Sequence, residues 1–213
     1  MKVKILYTHF TSQDTAAILD QWLSFLPKSL QNINHKFANK EDKVRNILGK
    51  LLLKEGLKIL DNQSASIENI KFTAFQKPYI SDHIDFSISH SGNYVFCAIA
   101  ENIKLGIDIE EIKPVDFNDF KHSMNKSEWF KIYNSPDPLQ EFFNLWTLKE
   151  AVIKADGKGF FADFETIIIK NNIVHIENNI WFYEKINFDK NYSGHLVTSN
   201  FHTEVEMIFT RFI

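Results

Sequence analysis

Asp108 and Glu110 stand two apart in Gly106-Ile107-Asp108-Ile109-Glu110, and further on Trp146, Glu150 and Lys154 recur at every fourth residue. Leu105, Ile107 and Ile109 alternate with Gly106, Asp108 and Glu110, so a strand would place both carboxylates on one face, away from an apolar core. A helix over the second segment aligns Trp146, Glu150 and Lys154 on one ridge. Three carboxylates and one ammonium can hold a divalent cation against a pyrophosphate. Oxygen donors without Cys or paired His favour Mg2+, which keeps several waters and takes the rest of its shell from substrate phosphates. Zinc is the poorer match, because none of the eight histidines forms a short-spaced pair or joins the cysteine. Each motif also has a purely structural reading. Acids on the polar side of a strand are commonly just solvated, and Glu-Lys pairs at four-residue spacing commonly just support a helix.

Other donors suited to phosphate lie in the first half: His35, Lys36, Arg45, Lys77 before Pro78, and Ser89-His90-Ser91. Ser89-His90 does not read as a hydrolase pair. The strained Gly-x-Ser-x-Gly turn is missing, and neighbours on a strand point to opposite faces.

The elements that must position these residues follow from periodicity. Lys2 to Thr8 reads as a strand, and Asp14 to Phe25 and Lys40 to Leu60 read as helices, the second with Val44, Ile47, Leu48, Leu51, Leu52 and Leu57 at helical spacing. Asp85 to Ser89 runs through a turn at His90 to Asn93 into Tyr94 to Ala100, a β-hairpin. Leu105 to Ile109 is a strand and Asp116 to Tyr133 is helical in character. Asp137 and Pro138 then open a helix that runs through Asp156 and ends at Gly157 and Gly159. Thr166 to Lys170, Ile180 to Ile186, Gly194 to Ser199 and Glu204 to Phe209 supply a terminal run of strands. The two halves thus share an element order, with a seam at Glu101 to Lys104.

Composition sets outer limits. A chain of 213 residues with 44% apolar content makes one large domain or two compact halves. A net charge of -3 gives no global attraction to nucleic acid or to an anionic membrane. The single Cys97 permits no internal disulfide and sits in an apolar run as a buried, inert thiol. The N-terminus is too soon polar for a signal peptide and no apolar run reaches a membrane span, so a soluble, cytoplasmic protein is expected; it is also expected to be a monomer.

In order, the blocks Lys40 to Gly49, Lys77-Pro78-Tyr79, Phe86 to Gly92, Gly106 to Glu110, and Trp146-Thr147-Leu148-Lys149-Glu150-Ala151 through Lys154 resemble the 4'-phosphopantetheinyl transferases of the Sfp type. The resemblance implies an α+β fold of two similar α/β subdomains related by a pseudo-twofold, residues 1–103 and 104–213. It implies coenzyme A as co-substrate and Mg2+ in the cleft between them, with an apo acyl carrier or peptidyl carrier protein as partner. By position, Asp108, Glu110 and Glu150 correspond to the metal ligands, and Glu150 and Lys154 to the catalytic groups. Lys36, Arg45, Ser89 and His90 match contacts to the coenzyme A phosphates, and Lys154 matches the lysine on its pyrophosphate. Phe75 and Lys77, with Ser89, fall where the family grips the adenine, although Gln76 replaces a glycine common in relatives. Glu128 matches an acidic position near the metal. The implied reaction moves phosphopantetheine from coenzyme A to a carrier serine and releases adenosine 3',5'-bisphosphate, for carriers of fatty-acid, polyketide or nonribosomal-peptide synthesis.

Two other classes fit the same carboxylates: a magnesium-dependent phosphodiesterase, and a non-catalytic module binding coenzyme A or a carrier protein. An acidic carrier would need a local basic and apolar surface, which Lys113 to Lys131 supplies with Phe117, Phe120, Met124, Trp129 and Phe130. The same residues also suit an amphipathic helix packed inward.

Overall fold

The computed structural model describes residues 1–11, 19–31, 39–60, 65–159 and 163–212. Its first half comprises β1 (Lys2–His9), α1 (Leu19–Ser24), α2 (Lys28–Gln31), α3 (Lys40–Ile59), the short β2 (Lys71–Phe72) and β3 (Pro78–Tyr79), and the hairpin β4 (Ile84–Ser91) and β5 (Tyr94–Glu101). The second half comprises β6 (Leu105–Glu111), α4 (Lys126–Tyr133), α5 (Pro138–Asp156), β7 (Ile168–Lys170), β8 (Ile173–Ile176), β9 (Asn179–Lys185), β10 (Tyr192–Thr198) and β11 (Glu204–Phe209). No described helix is long and apolar enough to cross a membrane.

Local chemistry sets the bounds of the main helices. Asn39 caps α3 by accepting from the Glu41 amide at 2.9 Å. Asp137 accepts from the Gln140 amide at 3.0 Å and Pro138 opens α5. Gly157 closes α5 in the left-handed region at φ 82°, its amide returning to Ile153 O at 2.9 Å.

Two sheets face each other between two helices. The first has the order β11-β1-β5-β4 and the second β6-β10-β9-β8-β7. Along β5, Val95, Cys97 and Ile99 pack under α3, while Phe96, Ala98 and Ala100 meet Leu105, Ile107, Ile109 and Leu196 of the second sheet. The far face of the second sheet packs Val174, Ile176, Trp181 and Val197 against Leu148, Ala151, Val152 and Ala155 of α5. Each half therefore runs strand, helix, hairpin: β1, α3, β4-β5 and β6, α5, β9-β10.

The structure departs from the sequence reading in three places. The terminal strand β11 leaves the second half and pairs in parallel with β1, Lys2 opposite Glu204, so residues 204–209 complete the first sheet. The helix expected over Asp116 to Tyr133 breaks into a 3-10 turn at Phe117–Phe120 and α4, because Asn125 starts a new helix by forming a capping box with Glu128. Thr166 ends a 3-10 turn and only Ile168–Lys170 is strand. Of the helix expected over Asp14 to Phe25, Leu19–Ser24 is helical and residues 14–18 lie outside the described set.

Candidate functional site

β4 and β6 are the edges where the two sheets meet, and β6 pairs with β10 on its other side only. Its open edge is closed by side chains. Leu105 N donates to Asp85 Oδ2 at 2.9 Å, Ile107 N to Ser87 Oγ at 3.1 Å, Ile109 N to Ser89 Oγ at 3.2 Å and Glu111 N to Ser91 Oγ at 3.0 Å. Alternate residues of β4 thus satisfy alternate amides of β6, which would otherwise be unpaired beside a buried core. This ladder was missed in the sequence, where Asp85 to Ser89 reads as a hairpin strand and Ser89-His90-Ser91 as donors suited to phosphate.

The ladder carries the candidate site. Ser89 Oγ donates to Asp108 Oδ1 at 2.8 Å and Ser91 Oγ donates to Glu110 Oε2 at 2.6 Å. Lys154 Nζ, from α5, lies 2.6 Å from Asp108 Oδ1 and 3.1 Å from Ser89 Oγ. The carboxylate face was expected to point away from the core. It is instead roofed by α5, leaving Asp108 3% exposed. Gly106 makes that roof possible: a Cβ there would lie 2.1 Å from Ala151 O and 2.5 Å from Ala155 N.

Two of the acids are held above their usual range. Burial and then Asp108 push the Glu110 carboxyl up to about 7, against the opposing Ser91 hydrogen bond and Lys154. Burial and then Asp108 also raise Glu150, with Lys154 opposing. Asp108 Oδ2 is buried and has no hydrogen-bond partner. No three Asp, Glu, His or Cys side chains close into a metal cage among the described residues. The donor set nevertheless suits a hard cation: an unpartnered buried carboxylate oxygen beside two carboxylates held above their usual range is stabilised by positive charge.

Beside these acids, a cleft of about 340 Å³ runs between the halves, lined by Phe75, Pro78 and Ser87 on one side and Glu150, Lys154 and Phe164 on the other. Phe75 is 45% exposed at its rim. His90 lies between Ser89 and Ser91 on β4; desolvation lowers its pKa first, then the nearby Lys154 and Arg45 charges.

Two expected phosphate contacts are already engaged elsewhere. Lys77 Nζ donates to Asp85 Oδ2 at 3.0 Å, Ala155 O at 3.2 Å and Leu105 O at 3.4 Å, tying β4, β6 and the end of α5 together. Its stem lines the cleft while desolvation lowers its ammonium pKa, with Asp85 opposing. Arg45 donates to Gly92 O at 2.9 Å, Asp42 Oδ1 at 2.7 Å and Glu41 Oε2 at 3.0 Å, which fixes the turn after His90. Lys36 lies outside the described residues. Glu128 pairs with the fully buried Lys149 at 2.5 Å and accepts from Asn125 N at 2.8 Å. Lys149 also donates to Ser123 O and Phe164 O, so it fastens a cleft wall to α5.

The Lys113 to Lys131 segment is divided. Met124 is buried and Phe117, Phe120 and Trp129 pack against the same core, whereas Phe130 is 71% exposed among the exposed Lys121, Lys126 and Lys131.

Comparison with known proteins matches residues 104–204 to the model of the 4'-phosphopantetheinyl transferase superfamily, and residues 13–102 to that of the 4'-phosphopantetheinyl transferase N-terminal region. The 4'-phosphopantetheinyl transferase gsp of Aneurinibacillus migulanus is 31% identical over 174 residues, covering 80% of this chain and 72% of the relative. The 4'-phosphopantetheinyl transferase Sfp of Bacillus subtilis (strain 168) is 30% identical over 158 residues, 71% of this chain and 69% of the relative. A shorter match, 34% over 99 residues, covers 40% of this chain and 38% of the L-aminoadipate-semialdehyde dehydrogenase-phosphopantetheinyl transferase of Schizosaccharomyces pombe.

Proposed function

The chain belongs to the 4'-phosphopantetheinyl transferase superfamily and is a transferase of phosphopantetheine from coenzyme A to carrier proteins; from that premise we propose that Asp108, Glu110, Glu150 and Lys154 carry the reaction. The observation that supports this most is Asp108 itself, buried with one oxygen on Lys154 and Ser89 and the other unpartnered.

In this reading Asp108, Glu110 and Glu150 would hold Mg2+. Once bound, the ion supplies positive charge to a pyrophosphate whose oxygens gain negative charge during transfer. The chain's own residues do the rest. Lys154, 30% exposed at its side chain, turns its ammonium to the bridging and non-bridging oxygens that become more negative. Glu150 lines the cleft, where a carboxylate beside the pyrophosphate is placed to accept the proton leaving the carrier serine as that hydroxyl attacks the β-phosphorus. Phe75 and Pro78 offer an apolar wall for the adenine, and His90, close enough to Lys154 and Arg45 to feel both charges, a donor for phosphate. The acidic carrier would dock on Phe130 with Lys121 and Lys126, where basic and apolar surface coincide. The two bodies of this reading are residues 1–103, completed by the strand at 204–209, and the rest of 104–213, with the cleft at their seam.

The test is incubation with coenzyme A, Mg2+ and an apo carrier protein, read by mass. A gain of one phosphopantetheine on the carrier and release of adenosine 3',5'-bisphosphate support the reading. Cleavage of coenzyme A with the carrier unmodified would favour the phosphodiesterase alternative, and binding without turnover would favour the non-catalytic module.

A further inference from the structure

Ser87, Ser89 and Ser91 hold equivalent places on β4, each accepting one amide of β6. A serine hydroxyl also has one proton to give. Ser89 gives its proton to Asp108 and Ser91 to Glu110, in each case the side chain just before the amide it accepts. For Ser87 that residue is Gly106, where the closeness of Ala151 O leaves no room for any side chain. The Ser87 proton therefore has no acceptor among the described residues. Ser87 is only 6% exposed, and the surface it lines belongs to the cleft that also holds Glu150 and Lys154. A buried donor without an acceptor costs stability unless a ligand meets it.

We propose that Ser87 donates this proton to an oxygen of the nucleotide half of coenzyme A, a contact that rests on the transferase reading above. Its place on the ladder selects the nucleotide half. Residues two apart on a strand are separated by about 6.8 Å, so Ser87 stands one ladder step from Ser89, on the side of Asp85 and Lys77 and away from Glu110. The pyrophosphate belongs with Lys154 and the acids. What lies one step towards Phe75 and Pro78, flat apolar surfaces suited to a purine, is the ribose with its phosphate.

The experiment is titration calorimetry of coenzyme A, adenosine 3',5'-bisphosphate and 4'-phosphopantetheine against the wild-type chain, Ser87→Ala and Ser87→Asn. Ser87→Ala is expected to weaken coenzyme A and the bisphosphate each about tenfold, or about 1.4 kcal/mol, and to leave 4'-phosphopantetheine unchanged. Ser87→Asn is expected to restore binding to within about threefold, because its carbonyl can accept the Ile107 amide while its NH2 donates into the cleft. Should Ser87→Ala fail to fold, Ser87→Asp keeps an acceptor for that amide, as Asp85 does for Leu105, but gives no proton; it should show the same selective loss. Wild-type affinity for coenzyme A in folded Ser87→Ala, or an equal loss for 4'-phosphopantetheine, would overturn the assignment. A wild-type chain that neither binds coenzyme A nor modifies a carrier would instead sink the transferase reading itself.

Discussion

Lys154 Nζ lies 2.6 Å from Asp108 Oδ1, joining α5 to β6 at the point where Ser89 of β4 reaches the same carboxylate. Three elements from both halves therefore converge on one oxygen. Asp108 is 3% exposed beside Glu110 and Glu150, both of which it raises, and among the described residues its carboxylate is met by Lys154 and Ser89. Such an arrangement serves a charged ligand better than it serves stability.

Asp108→Asn should separate those two roles. The amide keeps the shape and an acceptor for Ser89, removes a repulsive charge from Glu110 and Glu150, and loses the ion pair with Lys154. We expect stability within about 1 kcal/mol of wild type, since loss of the pair and relief of repulsion oppose each other. Holo-carrier formation should fall at least about a hundredfold, the scale seen when a preorganised charge is removed from a transfer site. A folded Asp108→Asn enzyme with near wild-type turnover would refute the assignment.

Gly106→Ala tests the roof over the acids. The new Cβ meets backbone on both contacts, Ala151 O and Ala155 N, so no side-chain rotation can make room. Moving α5 outward would carry Glu150 and Lys154 away from Asp108. The expected loss is about 3 kcal/mol, or a fall of about 6–12 °C in thermal midpoint for a chain of this size, together with loss of transfer activity. A shift under about 2 °C would show that α5 yields more easily than its packing implies.

Much of this architecture was legible in sequence because its signals are local. Asp137, Pro138 and Gly157 mark the ends of α5 with groups that satisfy its own backbone, and the alternation in β6 names the face that carries Asp108 and Glu110. The β4 ladder was not legible. Four polar side chains at every second position look the same whether they face water or the open edge of a strand about twenty residues further on, and only tertiary pairing decides. The protein partners of Lys77 and Arg45 were hidden for a related reason. Residue type shows that a cation can bind phosphate, but not that Asp85, Ala155 O or Gly92 O already holds it.

His195 should make stability depend on acid pH. It lies across from Asp108 on β10, 5% exposed, with Nδ1 2.8 Å from Thr147 Oγ1. Burial, then Lys185, lowers its pKa to about 3 from the usual 6.5. Between those values the unfolded chain takes a proton that the native chain refuses, so native stability falls as pH drops from 6.5 towards 3. Glu110 has the opposite sign: raised to about 7, it favours the native state at low pH and loses that contribution as pH rises from 4.5 through 7. The difference between wild type and His195→Gln isolates the histidine. In urea melts that difference should shift against wild type by about 1 kcal/mol per pH unit below 6; a flat difference between pH 6 and 4 would contradict a buried neutral imidazole.

Lys77 should behave as a clamp before it behaves as a ligand contact. Its ammonium meets Asp85 and two carbonyls from different elements, and Asp85 is 5% exposed. Lys77→Met leaves that carboxylate with only the Leu105 amide, and breaking such a buried pair costs about 3–5 kcal/mol. Adding Asp85→Asn removes the stranded charge while keeping an acceptor for Leu105, so the double variant should recover about 1–2 kcal/mol over Lys77→Met alone. Urea melts of the two singles and the double give the coupling directly. Additive losses would mean that the lysine acts independently of Asp85, and a Lys77→Met chain of wild-type stability with weakened coenzyme A binding would return the ammonium to the phosphate role read from sequence.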